Sequence, residues 1–372
     1  MVKEKKIIEG SSEIVVYPGE VKKSDDVFYN PSMKFNRDLS VLALKAFFHK
    51  YDKKKMVVVD GLSASGIRGV RYAKECDCVS EVVFNDLNPE AVKLIRKNVK
   101  LNSVENFEIF SKELNELLYS FRNKIDFVDI DPFGSPVYFL DSAAVALYNN
   151  SMLGVTATDT AALSGSSVRA CLRKYDSKPL KVDMMHEIGL RILIGSIVRR
   201  LAVYEKGFFP LISFSKLHYY RVCGRALNGT LQSDKALKSI GFMVYCQKCG
   251  YRKLSLERLG VCCECGSGLS YAGPLWIGEL GDSSFVSKMK SYCKDEEELK
   301  FLDVLLNEYK INSPMVDIHV FSKMNKIDFG RTKDIMDRLS GLGFCVSRTH
   351  ISPTAIRTDA DFGTLKKVMK KK

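Results

Sequence analysis

The chain has 372 residues, of which 46% are hydrophobic and 27% are charged, and its net charge is +13. A chain of this length and apolar content buries a substantial core, which excludes a disordered polymer and indicates two or three domains. The first residues lack the apolar segment of a secretory signal, and no run of about eighteen apolar residues occurs. We therefore expect neither secretion nor a membrane span.

Basic residues are concentrated in the second part of the chain. Residues 1–164 hold 22 basic and 23 acidic residues, residues 165–240 hold 14 and 5, and residues 241–372 hold 21 and 16. This segregation predicts that the first part binds a small ligand and the second a polyanion such as RNA or DNA. A solubilising surface is the alternative, because charge alone does not specify chemistry.

The predicted elements alternate between helices and strands. Residues 36–48 have the apolar spacing of a helix, and from Met56 onward apolar strands alternate with helices of ten to fifteen residues. This alternation is typical of a parallel sheet with helices on both faces. The predicted strands are 56–60, 81–86, 107–111, 125–131, 153–159 and 208–215, and the helices between and after them include 67–75, 88–102, 137–149 and 186–204.

A glycine-containing loop follows the first predicted strand, with the spacing Gly61-x4-Gly66-x2-Gly69. It lacks both the G-x-G-x-x-G spacing of dinucleotide sites and the Gly-Lys-Ser/Thr ending of a P-loop. Asp86 lies at the next strand end, where a carboxylate accepts hydrogen bonds from ribose hydroxyls. These features favour S-adenosylmethionine as the ligand. An ordinary strand-to-helix turn with a capping aspartate is the alternative for the loop alone.

A second motif, Asp131-Pro132-Phe133-Gly134, follows the apolar strand 125–131 directly. It presents a carboxylate and an aromatic ring together at a strand end. An exocyclic amine of a nucleobase is a poor nucleophile, and a carboxylate that accepts its N–H hydrogen bonds can localise the nitrogen lone pair and take up the proton. Phe133 is suited to stacking on the base. As an isolated string the motif is also an ordinary turn.

Four cysteines form two Cys-x-x-Cys pairs, Cys246 with Cys249 and Cys262 with Cys265, and a glycine follows each pair. Four thiolates close a tetrahedral site and leave no position for water, so this spacing predicts a structural metal, zinc or iron. Cys263 is the alternative to Cys262, and a redox pair is the alternative for the set. Metal-binding thiolates without a signal segment indicate a reducing compartment, and we expect a cytoplasmic location.

Residues 315–358 have the pattern of a winged helix, with a helix-like stretch followed by a strand-like stretch. A plain α/β packing unit is the alternative.

Several strings together resemble the tRNA guanine-26 N2-dimethyltransferases of archaea and eukaryotes. They are FYNPSMKFNRDLS, VDGLSASGIRG, DIDPFGSP, AGPLWIGEL and the paired cysteines. The resemblance covers nearly the whole chain and implies an α/β fold. It implies a Rossmann-like class I methyltransferase domain over 1–240 and a smaller C-terminal α/β domain over 241–372, which holds the cysteines and binds tRNA. It also implies transfer of one or two methyl groups from S-adenosylmethionine to the guanine amine.

The resemblance implies a cofactor site built from five residues. Arg37 and Arg68 would contact the methionine carboxylate, Asp86 the ribose, and Glu113 the adenine edge, with Leu114 beside it. The family usually has Asp-Ala where this chain has Glu113-Leu114, which makes the adenine contact the least secure assignment.

The resemblance also implies catalytic roles at the second motif. Asp131 would accept the proton, and Phe28 and Phe133 would hold the target guanine between their rings. Position 26 lies inside folded tRNA, so the base must leave its stack before it can react.

Other functions stay open at the level of sequence. A methyltransferase could act on another planar amine, such as adenine N6 or a glutamine side chain. A noncatalytic zinc-ribbon protein that binds RNA is a different class, and it would not bind S-adenosylmethionine. The sequence shows no obligate protein partner, and we expect a monomer.

Overall fold

An N-terminal β-hairpin precedes the main sheet. The computed structural model describes residues 4–17, 27, 29–262 and 264–370. Strands β1 (Lys5–Glu9) and β2 (Ser12–Val16) pair antiparallel around Gly10, whose φ of +58° is one that glycine adopts without strain. Ile14 and Val16 of the second strand are buried in an apolar cluster that they share with the main sheet. The hairpin is therefore anchored to the body of the protein.

Seven strands form the main sheet. In chain order they are β3 (Met56–Asp60), β4 (Val79–Asn85), β5 (Phe107–Phe110), β6 (Ile125–Ile130), β7 (Leu147–Ala157), β8 (Lys206–Lys216) and β9 (Tyr219–Asn228). Their spatial order is β5-β4-β3-β6-β7-β9-β8. Strands β3 to β7 are parallel, as the sequence predicts, so their carboxyl ends lie at one edge.

Strand β9, which the sequence analysis does not predict, runs antiparallel to both of its neighbours. A turn of only two residues, Leu217 and His218, joins β8 to β9, and so short a connection can only reverse the chain. Because Tyr220 pairs with Ala157 at the end of β7, this turn lies at the carboxyl edge of the parallel strands.

Helices cover both faces of the main sheet, as predicted. Val58 and Val59 point to opposite faces of β3, and both are fully buried. The helices are α1 (Lys34–Lys50), α2 (Ile67–Glu75), α3 (Pro89–Leu101), α4 (Leu114–Ser120), α5 (Leu140–Ala146), α6 (Thr160–Leu163), α7 (Val168–Tyr175), α8 (Met185–Ala202) and α9 (Thr230–Leu237). Among the described helices, none is both long enough and apolar enough to cross a bilayer.

One predicted helix ends earlier than expected. Its segment, 137–149, divides into a 3-10 turn at Pro136–Phe139, helix α5, and the start of β7 at Leu147. Leu147 pairs with Ile125 of β6, so sheet pairing ends the helix. Apolar residues fit either element, and only the tertiary contact selects the strand.

The C-terminal part adds two small sheets and five helices among its described residues. The first sheet contains β10 (Ile240–Tyr245), β11 (Arg252–Ser255) and β12 (Ser270–Trp276), in the order β11-β10-β12. After it come α10 (Ser283–Lys290), α11 (Glu296–Glu308), β13 (Val316–Asp317), α12 (Ile318–Asn325), α13 (Thr332–Gly341), β14 (Val346–Arg348), β15 (Ala355–Thr358) and α14 (Phe362–Met369). Trp276 and Leu302 belong to the same apolar core as the main sheet.

The order of elements from α11 to β15 is that of a winged helix. The three short strands pair antiparallel in the order β13-β15-β14, and α12 and α13 stand between the first and second of them. The observed arrangement is therefore the winged helix and not the plain α/β packing unit. Its own small core includes Phe321, Ile335 and Leu339.

A buried group of charges joins this unit to α8. Arg357 donates to Glu187 on α8 at 3.0 and 3.1 Å and to Glu308 on α11 at 2.8 Å. Arg191 also donates to Glu187, and His350 lies 2.6 Å from Glu308. Burial by itself raises the pKa of Glu308, but His350 and Arg357 together lower it below its usual value. Ionised carboxylates therefore connect three elements inside the protein.

We expect Arg357→Met to lower the free energy of unfolding by about 3–5 kcal/mol, because it leaves two buried carboxylates without this partner. The control is Lys300→Met, which removes an exposed pair with Glu296 at 3.9 Å and should cost less than about 1 kcal/mol. Urea unfolding followed by circular dichroism measures both. Equal losses in the two variants would contradict a structural role for the buried group.

Candidate active site

A cavity of about 850 Å³ opens at the carboxyl edge of the main sheet. The loops after β3, β4 and β6, helix α1 and the β8–β9 turn surround it. Five of the residues that the sequence predicts for the site line this cavity: Arg37, Arg68, Asp86, Asp131 and Phe133. The topology therefore brings together residues that are up to 96 positions apart in the chain (37 to 133).

The glycine loop after β3 frames one wall of the cavity. Gly66 has a φ of +76°, and a Cβ at Gly69 would lie 2.3 Å from the ring of Phe84, so both positions require glycine. Asp86 holds the loop in place, because its Oδ2 accepts a hydrogen bond from the amide of Ala64 at 2.8 Å. The carboxylate is thus fixed at the strand end.

Beneath the cavity, Asp129 on β6 accepts hydrogen bonds from three side chains. Arg221 on β9 donates to both of its oxygens at 2.6 and 2.9 Å, Tyr72 donates at 2.5 Å, and Arg68 at 3.3 Å. Burial alone would raise the pKa of Asp129, but the two arginines and the tyrosine lower it. Gly154 on β7 leaves room for the guanidinium of Arg221, since a Cβ there would lie 2.6 Å from its Nη2.

Arg68 also pairs directly with Asp131, and its other nitrogen contacts Asn36 and Ser40 on α1. The guanidinium therefore fixes the carboxylate of Asp131 from the interior side of the cavity. Asp131 is partly exposed, with 22% of its side chain accessible, so it retains an open side toward the cavity.

Phe133 is 76% exposed at the mouth of the cavity, an unusual position for a phenylalanine. The loop that carries it is held by Thr158, whose Oγ1 accepts from the amide of Gly134 at 2.6 Å and whose own amide donates to the carbonyl of Gly134 at 2.9 Å. Gly134 has a φ of +85°. The loop conformation thus presents an apolar ring to solvent.

Arg37 is 5% exposed and forms a bidentate ion pair with Glu9 of the N-terminal hairpin, at 2.6 and 2.5 Å. Arg71 on α2 contacts the same carboxylate at 2.9 Å. Burial by itself raises the pKa of Glu9, but the two arginines lower it. The predicted cofactor residue is thus positioned by a residue that sequence reasoning did not select.

Two predicted cofactor residues lie outside the cavity lining. Glu113 caps α4 by accepting a hydrogen bond from the amide of Glu116 at 3.2 Å. Leu114 is buried, and its methyl groups lie 3.0 Å from where a Cβ of Gly61 would be, so it packs against the start of the glycine loop. Phe28, the other predicted ring for the guanine, lies outside the described residues.

Sequence reasoning did not select several residues of the cavity. Asp60, at the end of β3, lines it, and so do Tyr29, Tyr138 and His218. His218 and Tyr138 are both exposed. His218 lies at the cavity because it belongs to the β8–β9 turn, which is at this edge of the sheet. Asp60 was recognisable as a strand-end acid, whereas the positions of the other three depend on tertiary structure.

The four predicted cysteines come together in the C-terminal part. Their sulfur atoms all lie within 4.8 Å of one another, with 3.5 Å between those of Cys246 and Cys265 and 3.7 Å between those of Cys249 and Cys262. A tetrahedral zinc ion with Zn–S bonds near 2.3 Å requires S–S separations of about 3.8 Å. The cluster is therefore of a size that can hold one such ion. Cys263 lies outside the described residues.

A sheet with one antiparallel strand in this order and a cavity at its carboxyl edge defines a Rossmann-like class I methyltransferase domain. A model of the family of N2,N2-dimethylguanosine tRNA methyltransferases matches residues 3–370. The chain belongs to this family, as the resemblance in its sequence predicts.

Individual relatives match this chain over most of their length. The tRNA (guanine(26)-N(2))-dimethyltransferase of Methanothermobacter thermautotrophicus is 43% identical over 92% of this chain and 92% of its own. That of Methanobrevibacter smithii is 39% identical over 98% and 97%. The structure of Trm1 from Pyrococcus horikoshii in complex with S-adenosyl-L-methionine is similar with a TM-score of 0.88 at 32% identity, over 99% of this chain and 100% of that one.

We expect Asp60→Asn to change how stability depends on pH. Burial raises the pKa of Asp60 from 3.8 to about 7, although Arg68 opposes this. The folded state then binds the proton more tightly than the unfolded state, so Asp60 makes the wild-type protein lose stability as pH rises from about 4 to about 7. An asparagine side chain can still accept the hydrogen bond from the amide of Gly69, but it cannot titrate. The variant should therefore not show this loss of stability with rising pH.

Urea unfolding of both proteins between pH 4.5 and 8 measures the difference. Asp77→Asn, an exposed aspartate before β4, is the matched control and should leave the wild-type profile unchanged. Parallel profiles for wild type and Asp60→Asn would show that Asp60 titrates normally.

Proposed function

We propose that the protein transfers one or two methyl groups from S-adenosylmethionine to the N2 amine of guanosine 26 in tRNA. Membership of the family and the names of its relatives support the reaction. The observation that carries the proposal in this chain is the placement of Asp131 and Phe133, a fixed carboxylate and an exposed ring, at the mouth of one cavity.

The cavity fits the proposed cofactor in size and in chemistry. Pockets for ligands of this size are about 300–1,000 Å³. Asp86 offers carboxylate oxygens for ribose hydroxyls, and Arg37 and Arg68 offer N–H groups for the methionine carboxylate. Leu114 and Glu113 would border the adenine next to the glycine loop. When bound, S-adenosylmethionine supplies an electrophilic methyl group on a positively charged sulfur.

Asp131 would act on the guanine amine. Its carboxylate accepts one N–H of the N2 group, which localises the nitrogen lone pair, and it takes up the proton that the nitrogen loses on methylation. Arg68 orients this carboxylate through its direct contact. After the first methylation the amine still has one N–H, so the same residue can assist a second transfer.

Phe133 would bind the extruded base. Taking guanosine 26 out of its stack costs a few kcal/mol, and an aromatic ring at the cavity mouth returns about 1–3 kcal/mol by stacking. Phe28 would contribute the second ring.

We expect Asp131→Asn to lower kcat by about 100- to 10,000-fold, the usual range for loss of a general base. Asparagine keeps an acceptor for Arg68, so the Kd of S-adenosylmethionine by calorimetry should stay within about threefold. Mass spectrometry of tRNA nucleosides after incubation with labelled cofactor measures N2-methylguanosine and N2,N2-dimethylguanosine. It also distinguishes them from N6-methyladenosine, the product of the alternative methyltransferase.

Asp77→Asn is the matched control for activity as well, because its carboxylate lies before β4, at the amino edge of the sheet. It should turn over at the wild-type rate. Retained turnover in Asp131→Asn would remove Asp131 from the catalytic role.

The cysteine cluster would hold a structural zinc ion, with Cys246, Cys249, Cys262 and Cys265 as its ligands. Gly250 and Gly266 have φ values of +78° and +68°, and their amides donate to the carbonyls of Cys246 and Cys262, so the two turns have the same geometry. Asn325 on α12 donates to the carbonyl of Cys249 at 2.8 Å. The proposed ion would therefore also brace the winged helix. A cytoplasmic, reducing location would keep the thiolates available.

Elemental analysis of the purified protein should find one zinc per chain. Cys262→Ser should lose the metal and lower the melting temperature, whereas Cys263→Ser should keep it. Cys345→Ser, at an exposed cysteine, is the control. Loss of metal in Cys263→Ser alone would reassign the ligand.

A further inference from the structure

Helix α7 has an outward face that carries two arginines. Arg169 and Arg173 are both exposed and lie four residues apart, so their side chains emerge on the same side of the helix. Among the described residues, neither has an ion pair, a hydrogen bond or an aromatic partner. Val168 and Leu172 beside them are 40% and 47% exposed. These two positive charges thus face solvent without a partner among the described residues.

The inward face of α7 attaches the helix to the catalytic loop. Tyr175 is buried, and its hydroxyl donates to Asp159 at 2.6 Å and accepts from Ser135 at 2.9 Å. Ser135 follows Gly134 directly and lines the cavity. Arg199 on α8 donates to the carbonyl of Tyr175 at 2.6 Å. The distance between the arginine face and the loop that bears Asp131 is therefore fixed by packing.

The chain after α7 leads to the sheet that carries the cysteine cluster. Lys178 forms two backbone hydrogen bonds with Gly273 on β12, at 3.0 and 2.8 Å. Its ammonium lies 4.4 Å from the centre of the Tyr271 ring, and the guanidinium of Arg258 lies 4.4 Å from the same centre. Both cations are held by the ring, and neither has a carboxylate partner among the described residues.

We propose that these four cations form a basic strip, consisting of Arg169, Arg173, Lys178 and Arg258, that binds phosphates of the tRNA backbone while the target base occupies the cavity. This inference rests on the proposed function. Cations without carboxylate partners on an ordered surface repel one another, and a bound polyanion removes this repulsion. Binding is also favoured because the nucleic acid releases its condensed counterions when the cations neutralise its phosphates. RNA is favoured over other anionic partners because the strip begins on the helix that is attached to the base-binding loop.

The experiment compares Arg169→Gln/Arg173→Gln with wild type in full-length tRNA binding and methylation. Each lost phosphate contact should reduce the slope of log K against log salt by about 0.7–0.9, so the double variant should lose about 1.4–1.8. The KM for tRNA should rise about tenfold or more at 150 mM salt, while the Kd of S-adenosylmethionine and the melting temperature should not change. Arg258→Gln should reduce the slope by a further 0.7–0.9 or so.

The matched control is Lys54→Gln/Lys55→Gln, which makes the same change in net charge. These two exposed lysines precede β3, at the amino edge of the sheet and opposite the cavity. They should leave the slope and the KM unchanged. Arg169→Lys/Arg173→Lys should restore the wild-type slope, because phosphate binding needs the charges, whereas a purely structural role would not be rescued in this way.

The outcomes separate this inference from the proposed function. A wild-type protein that forms no N2-methylated guanosine would overturn the proposed function itself. An active wild type with the same salt slope in Arg169→Gln/Arg173→Gln would overturn the strip alone. An equal loss of tRNA binding in Lys54→Gln/Lys55→Gln would also overturn the strip, since the effect would then come from net charge alone. Loss of binding to phosphatidylserine vesicles with unchanged tRNA binding would instead assign the surface to a membrane.

Discussion

The bidentate pair between Asp129 and Arg221 is the contact on which the site depends. It joins β6 to β9, and through Arg68 and Tyr72 it extends to α2. Arg221 also donates to Ser40 on α1 and Thr156 on β7. Removing Asp129 would leave the buried guanidinium of Arg221 without its ion-pair partner, which is more costly than the pair is favourable. The elements that surround the cavity are therefore fixed from beneath by ionised groups.

This buried group also explains how Asp131 can be both fixed and accessible. Arg68 bonds to Asp129 inside the protein and to Asp131 at the cavity, so one guanidinium connects the structural carboxylate to the proposed catalytic one. A guanidinium has five N–H groups, which lets Arg37 bind Glu9 and still offer a donor to a ligand. The proposed cofactor residues thus belong to the framework of the protein as well as to its site.

The C-terminal part is joined to the methyltransferase domain in a similar manner. Arg357 on the winged helix binds Glu187 of α8, and the backbone of Lys178 pairs with β12 of the cysteine sheet. Both contacts hold parts of the C-terminal region, which are distant in sequence, in a defined position relative to the cavity. The C-terminal part and the cavity therefore belong to one ordered surface.

The sequence by itself determined the class of fold, the family, the strand-end acids and the cysteine set, because each depends on local spacing that survives without tertiary information. It did not determine that β9 is antiparallel, where the helix before β7 ends, or that Glu9 and Arg221 support the site. Glu9 lies in a hairpin far from Arg37 in the chain. Arg221 is one of two arginines in a largely apolar strand, and its partner Asp129 is 92 residues away. Such partners meet only in the folded chain, because each buried charge then needs an opposite charge beside it and the tertiary structure alone brings the two together.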